Sequence, residues 1–397
     1  MNLLAVIKRW LSWLVMFVFQ RFPIKNNKIF FMNYYGSGYG CNPKYMTEYL
    51  LNHYPKGTFD VVWAFNDIRA NDHLTGFRQV KTMSWRYFFD CCTAKVIVTN
   101  FRTTDAFVKR RGQYYIQTWH SSLRLKQIEK DAEKTLPAHY VRMAKRDSNK
   151  IDLLISGCAY GTAIFRRAFW YSGEIMTCGT PRNDLFFQRS DSVRKRIFDR
   201  LGLSRQVKVM LYAPTFRSGG GFEVYQWGYQ NLLNKAKERF GGEWVFLVKH
   251  HPHLSAEASR LESSDRVIDV TAYDDTQELL SIADILVTDY SSLMFDFALT
   301  RRPCFLYVPD LDTYVKKDRN LYFDLKRLPF ISARSEGELI QAIDGFQADV
   351  YETRLKSFLA EIGTYESGGA CPAIFNRIET VCFGSDQITR GVRHEAV

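Results

Sequence analysis

The chain has 397 residues, of which 46% are hydrophobic and 24% are charged, and its formal net charge is +12. This composition excludes a disordered or fibrous protein, and the length exceeds what one ordinary hydrophobic core organises. The charge is uneven, because residues 1–190 hold 28 Lys and Arg against 13 Asp and Glu. A basic first half indicates an anionic partner such as membrane lipid or a phosphate-rich substrate, with a solvated basic face as the alternative.

Residues 1–27 form a basic and apolar N-terminal segment. Its apolar run after Arg9 spans about ten residues, whereas a membrane-spanning helix needs about 20. A signal peptide is disfavoured, since no small-residue cleavage site follows the run. We therefore predict an amphipathic helix at the membrane interface, with these residues in contact with lipid: Trp10, Trp13, Lys8, Arg9 and Arg21. A helix that packs in a core or in an oligomer contact is the alternative.

Short apolar runs rich in β-branched and aromatic residues follow, with helical stretches such as 45–52 between some of them. They predict strands at 28–32, 59–65, 95–100, 114–119, 151–156, 207–212, 244–249, 267–270, 285–288 and 304–308. This alternation predicts parallel sheets with crossover helices. The predicted fold class is α/β, with two Rossmann-like domains facing a central cleft and an N-terminal membrane-associating helix. The predicted divisions are the N-terminal segment 1–27, a first domain over 28–190, a second over 191–345 and a helical tail over 346–397.

The segment that follows the strand at 285–288 is the strongest single candidate for a phosphate site. It reads Asp289-Tyr290-Ser291-Ser292 and runs into a helix, so both serines lie where free backbone N–H groups and the helix dipole favour a phosphate. An ordinary N-cap is the alternative for either serine. In the same half, Thr215 and Arg217 follow the strand at 207–212, and their side chains carry donors suited to a phosphate.

Histidines follow two other predicted strands. His120 comes after the strand at 114–119, where it is suited to take a proton from an acceptor hydroxyl, although a structural histidine is the alternative. The second group ends the strand at 244–249 and reads Lys249-His250-His251-Pro252-His253. A phosphate-contacting or acid–base histidine fits this group better than zinc, because no second Cys or His group with matching spacing lies nearby. We therefore predict no metal site.

Taken in order, these motifs resemble the CDP-glycerol glycerophosphotransferase family, which contains the primases and polymerases of bacterial teichoic acid. The resemblance spans roughly residues 25–385 and rests on these segments: Trp119-His120 with Leu123 and Lys126, then 179–184, 212–217, 249–252, 273–284, 288–297, 302–303 and 310–311. It implies a metal-independent enzyme of the two-Rossmann, or GT-B, type. Two catalytic histidines are implied as well, and by motif they fall on His120 and His251.

The resemblance implies that glycerol phosphate, or a related polyol phosphate, moves from CDP-glycerol to a hydroxyl of a membrane-linked acceptor, with release of CMP. His120 is then the general base, while His251 steadies the diphosphate. The first domain binds the acceptor and the second binds the donor, for which the predicted residues are Thr215, Arg217, Lys249, Glu278, Asp289, Ser291, Ser292 and Asp296. No cofactor is implied. The expected location is the cytoplasmic face of a bacterial cell membrane, with an anionic surface and a lipid-linked saccharide or polyol-phosphate acceptor as partners.

The chain departs from the family pattern at Ser121-Ser122, where the family usually has Gly-Thr, and again near Asn320 and Phe330. Glycerol and ribitol therefore both remain candidates for the polyol, and primase and polymerase activity both remain open. Two other functions are alternatives: a GT-B glycosyltransferase that uses a nucleotide sugar, and a non-catalytic membrane-bound binding protein of the same fold. Nucleic-acid binding is disfavoured, because no recognised binding motif accompanies the basic residues.

Overall fold

The computed structural model describes residues 3–188, 191–215, 228–250, 265–312, 314 and 320–384, with side chains from Trp10 onward. Contacts between Cα atoms divide the chain into two compact units. The first unit contains Met1–His120, Ile128–Asp184 and Tyr365–Val397, and the second contains Ser121–Gln127 and Leu185–Thr364. The chain therefore returns to the first unit after each of two excursions into the second.

Strands form at the short apolar runs, and most of their residues are buried because helices cover the sheets of such folds on both faces. The strands are β1 Lys25–Met32, β2 Asp60–Phe65, β3 Arg78–Lys81, β4 Ala94–Thr99, β5 Tyr114–Gln117, β6 Leu153–Ser156, β7 Glu174–Thr177, β8 Lys208–Tyr212, β9 Trp244–Val248, β10 Val267–Asp269, β11 Ile285–Thr288, β12 Cys304–Tyr307 and β13 Ile331–Ala333.

Several helices begin at side chains that accept a hydrogen bond from the first turn, such as Ser84, Asp275 and Ser335. The helices are α1 Leu3–Phe19, α2 Cys41–His53, α3 Trp85–Thr93, α4 Ala138–Ser148, α5 Ala159–Ala168, α6 Asp191–Leu201, α7 Tyr229–Phe240, α8 Thr276–Ile282, α9 Leu293–Ala298, α10 Glu336–Asp344, α11 Ala348–Glu361 and α12 Ala370–Phe383.

Each unit contains one parallel sheet. In the described part of the first unit the strand order is β3-β2-β1-β4-β5-β6-β7, and in that of the second it is β10-β9-β8-β11-β12-β13. The registers are regular: Phe30 of β1 pairs with Val62 of β2 on one side and with Ile97 of β4 on the other. The predicted α/β class with two Rossmann-like domains is confirmed.

Both sheets have a point where the strand order reverses. In the first sheet β1 and β4 are neighbours, although β2 and β3 lie between them in the chain; in the second sheet β8 and β11 are neighbours in the same way. Loops that leave such a pair of strands diverge and open a crevice at the carboxyl edge, which is where open α/β sheets bind ligands. The first crevice is formed by the loops after β1 and β4, and the second by the loops after β8 and β11.

The structure contains strands that the sequence patterns did not predict, namely β3, β7 and β13. Each has only three or four residues and lies at an edge of its sheet, and β3 and β7 are largely exposed. Such strands lack the long apolar run that predicts a buried strand. The predicted C-terminal tail over 346–397 also divides differently, because α11 belongs to the second unit whereas α12 belongs to the first.

Helix α1 has an exposed apolar face and a buried one. Ser12, Val15 and Met16 are buried, and the helix packs on α3 in the first unit. The opposite face is exposed at large apolar residues, with these fractions: Trp10 62%, Leu11 58%, Leu14 61%, Phe17 58% and Val18 51%. Among the described residues, the structure contains no helix with the length and apolar character needed to span a bilayer.

Candidate active site

His120 lies in a strained loop just beyond β5. The preceding residue, Trp119, has a left-handed backbone with φ 51°, which costs a bulky residue of order 1–3 kcal/mol. Neighbouring side chains hold this conformation: the N–H of Trp119 donates to Oε1 of Gln117 (2.9 Å), and Nδ2 of Asn42 donates to the carbonyl oxygen of Trp119 (2.9 Å). Strain of this kind, maintained by specific bonds, is typical of functional loops.

The ring of His120 is oriented by one backbone carbonyl and two aromatic rings. Its Nδ1 lies 3.1 Å from the carbonyl oxygen of Asn100, which follows β4. Because a carbonyl only accepts, this contact assigns the proton to Nδ1 and leaves the basic lone pair on Nε2. The ring stacks on Trp119 at 4.5 Å and lies 5.6 Å from the ring of Tyr34. This orientation suits a general base.

The Asn100 side chain bridges the two loops at the crevice of the first sheet. Its Nδ2 donates to Oδ1 of Asn33 (2.7 Å), and its Oδ1 accepts the N–H of Tyr34 (3.0 Å). Asn33 and Tyr34 follow β1, so the asparagine pair links the two loops that diverge at the reversal point. These residues were not among the predicted site residues, although an asparagine at or directly after the end of each predicted strand was the available signal.

A buried ion cluster lies beneath the histidine loop. The guanidinium of Arg102 donates to Glu129 (3.0 Å) and to Asp147 (3.4 Å), and it lies 3.6 Å from the ring centroid of Phe169 and 5.9 Å from that of Trp119. Burial is the main cause that raises the pKa of Asp147, against the opposing charge of Arg102. Removing one member of such a cluster leaves a buried charge uncompensated and costs about 3–5 kcal/mol. The cluster therefore supports the loop that carries His120.

Asp289 ties together the two loops at the crevice of the second sheet. Its carboxylate accepts the backbone N–H of Thr215 (2.9 Å to Oδ1) and the Thr215 hydroxyl (2.6 Å to Oδ1). The same oxygen accepts the N–H of Tyr290 (2.6 Å). Both predicted donor residues, Thr215 and Asp289, therefore meet at the carboxyl edge of β8 and β11. These contacts assign Asp289 to organising the loop.

The two predicted phosphate serines differ in their described contacts. Oγ of Ser291 accepts the N–H of Leu293 (3.3 Å), which is a local serine turn just before α9. Ser292 makes no capping contact through its side chain, and both serines are half-buried. Asp296, on the same short helix, is fully buried. Ser292 thus occupies the N-cap position without a side-chain cap, and donor binding by these residues stays a prediction.

Lys126 lies beside a stacked pair of tyrosines that includes Tyr290, the residue before Ser291. Its Nζ lies 4.9 Å from the ring centroid of Tyr314, and that ring stacks on Tyr290 at 3.7 Å. The hydroxyl of Tyr290 donates to Asp310 (2.9 Å). Lys126 is held there because its segment pairs with 320–322, where the N–H of Tyr322 donates to the carbonyl oxygen of Leu125 (2.8 Å). The tyrosine next to Ser291 thus bonds to a carboxylate, and a cation lies over the ring that stacks on it.

Lys249 and Glu278 are both bound to protein groups. Nζ of Lys249 donates to the carbonyl oxygens of Thr271 (3.2 Å) and Tyr273 (2.6 Å), and burial lowers the pKa of Lys249. Glu278 is buried and accepts from Arg196 (2.9 Å) and from the hydroxyl of Tyr273. These contacts shape the loop after β10, and roles in donor binding for both residues stay predictions.

The remaining predicted site residues lie outside the described part of the chain: His251 and Arg217, together with the side chains of Lys8 and Arg9. The neighbouring His250 is described, and burial lowers the pKa of its imidazole. Among the described residues, no group of three or more His, Cys, Asp or Glu is placed to hold a metal ion.

A family model described as CDP-glycerol:poly(glycerophosphate) glycerophosphotransferase matches residues 14–380. The chain belongs to this family. The resemblance predicted from the motifs is confirmed, and the protein is accordingly a glycerophosphotransferase.

Curated relatives match along most of the chain. A teichoic acid poly(glycerol phosphate) polymerase of Bacillus spizizenii is 29% identical over 90% of this chain and 93% of its own length. A teichoic acid glycerol-phosphate transferase of Staphylococcus aureus is 32% identical over 88% of this chain and 93% of its own length. A poly(glycerol phosphate) polymerase of Bacillus subtilis is 31% identical over 90% of this chain but only 49% of its own length.

Solved structures agree with these matches. The wall teichoic acid polymerase TagF has a TM-score of 0.83 and 29% identity, over 96% of this chain and 95% of that chain. The S. aureus MnaA–UDP structure has a TM-score of 0.54 at 12% identity, over 91% of this chain and 98% of that chain, so it supports the fold alone.

One motif of the family has a structural role in this protein. In Gly179-Thr180-Pro181-Arg182-Asn183-Asp184, the N–H and hydroxyl of Thr180 donate to Glu366 (2.9 and 2.6 Å), and Nδ2 of Asn183 donates to the same carboxylate (3.0 Å). Asp184 accepts the N–H groups of Ala370 and Cys371 at the start of α12. The described contacts of the motif therefore fasten the returning C-terminal helix to the first unit.

Proposed function

We propose that this protein transfers glycerol phosphate from CDP-glycerol to a hydroxyl of a membrane-linked acceptor in the synthesis of teichoic acid or a related envelope polymer. The observation that carries the proposal is the His120 ring, held by the carbonyl of Asn100 with its lone pair on Nε2, in a chain that matches the family along nearly its full length. The names of the relatives support the polymer, and a TagF variant soaked with CDPG supports the donor.

The proposed reaction is one displacement at phosphorus. The acceptor oxygen bonds to the phosphorus that carries glycerol, the bond from that phosphorus to the bridging oxygen breaks, and CMP leaves with the electron pair. The acceptor hydroxyl proton passes to Nε2 of His120. In phosphoryl transfer, positioning and electrostatic stabilisation supply most of the catalysis. The residues proposed to position the diphosphate are Thr215, Arg217, Lys249, His251, Ser291 and Ser292, with Glu278 on the ribose.

Membrane association through α1 belongs to the same proposal. The helix presents large apolar side chains to solvent, among them Trp10 and Leu14, and the guanidinium of Arg21 lies 4.9 Å from the ring centroid of exposed Phe17. An apolar face with cations at its edge suits a bilayer interface. This arrangement supports a peripheral enzyme, and we propose that it binds the cytoplasmic face of the membrane, where a lipid-linked acceptor is within reach.

Release of CMP from CDP-glycerol in the presence of a lipid-linked acceptor tests the proposal. His120→Gln removes the basic nitrogen at similar size, and we expect kcat to fall by about 10²–10⁴-fold, as for the loss of a general base. The matched control is His139→Gln, at an exposed position on α4, which should keep full activity. Normal turnover by folded His120→Gln would rule out His120 as the base. CDP-ribitol and UDP-sugars, run as competing donors, test the choice of donor.

A further inference from the structure

The first unit contains a strongly basic pocket, and none of its lining residues has a part in the transfer reaction proposed above. Its volume is about 610 Å³, which is within the usual range for pockets that hold small ligands. Half of its lining side chains are Lys or Arg, and one is a carboxylate. The lining residues are Trp13, Asp105, Phe107, Val108, Lys109, Arg110, Arg111, Arg146, Asn149 and Lys150.

The pocket lies directly beside the exposed face of α1. Trp13, on that helix, forms part of the wall, and its Nε1 donates to the carbonyl oxygen of Asp105 (2.7 Å). The ring of Trp13 packs edge-on against Trp10 at 5.4 Å, and Trp10 and Leu14 are among the most exposed apolar side chains of the described chain. Val108 extends the apolar rim and is 40% exposed. A ligand in this pocket would therefore sit next to an apolar surface.

Most of the cations are fixed in place by bonds on one side. Arg110 donates to the carbonyl oxygens of Phe22 (2.9 Å) and Cys92 (2.7 Å), and Lys150 donates to the carbonyl oxygen of Thr104 (3.2 Å). Backbone carbonyls carry no net charge, so they orient these cations without cancelling their charge.

The remaining cations differ in how their charge is compensated. Arg146 pairs with Asp105 and Lys109 with Asp152, whereas Arg111 is exposed and has no hydrogen bond or ion pair with any other described residue. Two carboxylates thus oppose five cations, and an excess of positive charge remains. Burial also lowers the pKa of Lys150. An anion in the pocket would offset the cost of keeping these cations together.

We propose that this pocket binds the phosphate of an anionic phospholipid headgroup while the exposed face of α1 lies among the acyl chains. Arginine and lysine are the natural partners of phosphate, and arginine binds it with two parallel bonds. The acyl chains of a bound lipid would leave the pocket past Trp13 toward the apolar face. The pocket and the α1 face would bind the same lipid surface. Binding at one of them therefore raises the effective concentration of lipid at the other.

This inference rests on the proposed membrane association but not on the proposed transfer reaction. None of the pocket residues takes part in the bonds that orient His120 or in those that tie Asp289 to Thr215. Vesicle binding and CMP release therefore report on separate features. A variant that loses vesicle binding but still releases CMP in a detergent-solubilised assay has a defect in the pocket alone.

The test compares two double variants of the full chain in co-sedimentation with vesicles. Arg111→Gln with Arg146→Gln removes two cations from the pocket, and Arg69→Gln with Arg166→Gln removes two exposed cations of the same unit that do not line it. Both pairs change the net charge equally. The vesicles contain phosphatidylcholine alone or mixed with phosphatidylglycerol.

We expect the pocket variant to lower the partition coefficient on phosphatidylglycerol vesicles by about 30-fold, the effect of two basic side chains at an anionic surface. Its binding to phosphatidylcholine should not change, and the control pair should lose no more than about threefold through the general field. Equal losses in both pairs would show diffuse attraction without a headgroup site, and would overturn the proposal. A second arm compares inorganic phosphate with sodium chloride at equal ionic strength. If phosphate releases more native protein from the vesicles than sodium chloride does, the pocket binds a soluble anion, and the proposal is overturned as well.

Discussion

Nδ1 of His120 donates to the carbonyl oxygen of Asn100 across 3.1 Å, and this single contact fixes which ring nitrogen is basic. The carbonyl is itself held by the buried Asn100 side chain, which bonds to Asn33 and to the N–H of Tyr34. Asn100 is therefore a positioning residue for the proposed base, although it need not touch the substrate.

Shortening the Asn100 side chain should lower turnover without weakening donor binding. In Asn100→Ala the loop after β4 loses both side-chain bonds, and a shift of a few tenths of an ångström displaces Nε2. We expect kcat to fall about tenfold with little change in KM for CDP-glycerol, since misplaced catalytic groups lose rate steeply. Steady-state CMP release measures both constants, and Asn52→Ala at an exposed position on α2 is the control. A rise in KM at unchanged kcat would contradict the positioning role.

Removing the carboxylate of Asp289 should affect the donor side instead. Asp289→Ala leaves the Thr215 N–H and hydroxyl without their acceptor at the crevice of the second sheet. Hydrogen bonds to a charged group are worth about 1.5–3 kcal/mol each, so we expect KM for CDP-glycerol to rise at least tenfold. Isothermal titration with CDP-glycerol checks the affinity directly, and Asp199→Ala, an exposed change on α6, is the control. Unchanged affinity for the donor would exclude this role for the loop.

Glu366 should matter for stability rather than for chemistry. Its carboxylate accepts from two groups of Thr180 and from Asn183, and all three residues are buried. Glu366→Ala leaves those donors unsatisfied, and we expect the free energy of unfolding to fall by roughly 2–4 kcal/mol. Urea unfolding measures the loss, and Glu361→Ala, an exposed change on α11, is the control. Well below its melting temperature the variant should keep kcat; a large loss of kcat at full stability would assign a catalytic role to the motif.

The parts of the fold that sequence analysis predicted share one property, which is that their signal is local. The strands before His120, Thr215 and Ser291 are short apolar runs followed by polar residues, so both the strands and their functional loops were recognisable. The family resemblance then selected His120 among otherwise ordinary strand-end residues.

The features that sequence analysis missed depend on partners far apart in the chain. Arg102 meets Glu129 and Asp147 across 27 and 45 residues, and Thr180 meets Glu366 across 186. No periodicity or motif spacing records such pairs, because they arise only when the sheet brings its loops together. For the same reason helix α12 was predicted to belong to a separate C-terminal tail, although its contacts place it in the first unit.

The ion pair between Arg377 and Glu174 fastens α12 to the edge strand β7 and should make stability depend on pH. Both guanidinium nitrogens bond to the carboxylate (2.6 and 2.8 Å), and one also bonds to the hydroxyl of Tyr114. The bonds from Arg377 hold the pKa of Glu174 below its ordinary value. A carboxyl whose pKa is lower in the folded state contributes stability above its unfolded pKa of about 4.3, and loses that contribution as the pH falls through the folded pKa.

Arg377→Gln should therefore lower the free energy of unfolding at neutral pH and have a smaller effect in acid. Both side chains are partly exposed, so solvent screening limits the expected loss to about 0.5–1 kcal/mol at about pH 7. The difference between native protein and variant should shrink as the pH falls through the folded pKa of Glu174, and vanish once Glu174 is protonated in both states. Urea unfolding across this range measures the difference, with Arg142→Gln on α4 as an exposed control that has no carboxylate partner among the described residues. A gap that stays constant with pH would mean that Arg377 stabilises α12 through Tyr114 and packing, and not through the charge of Glu174.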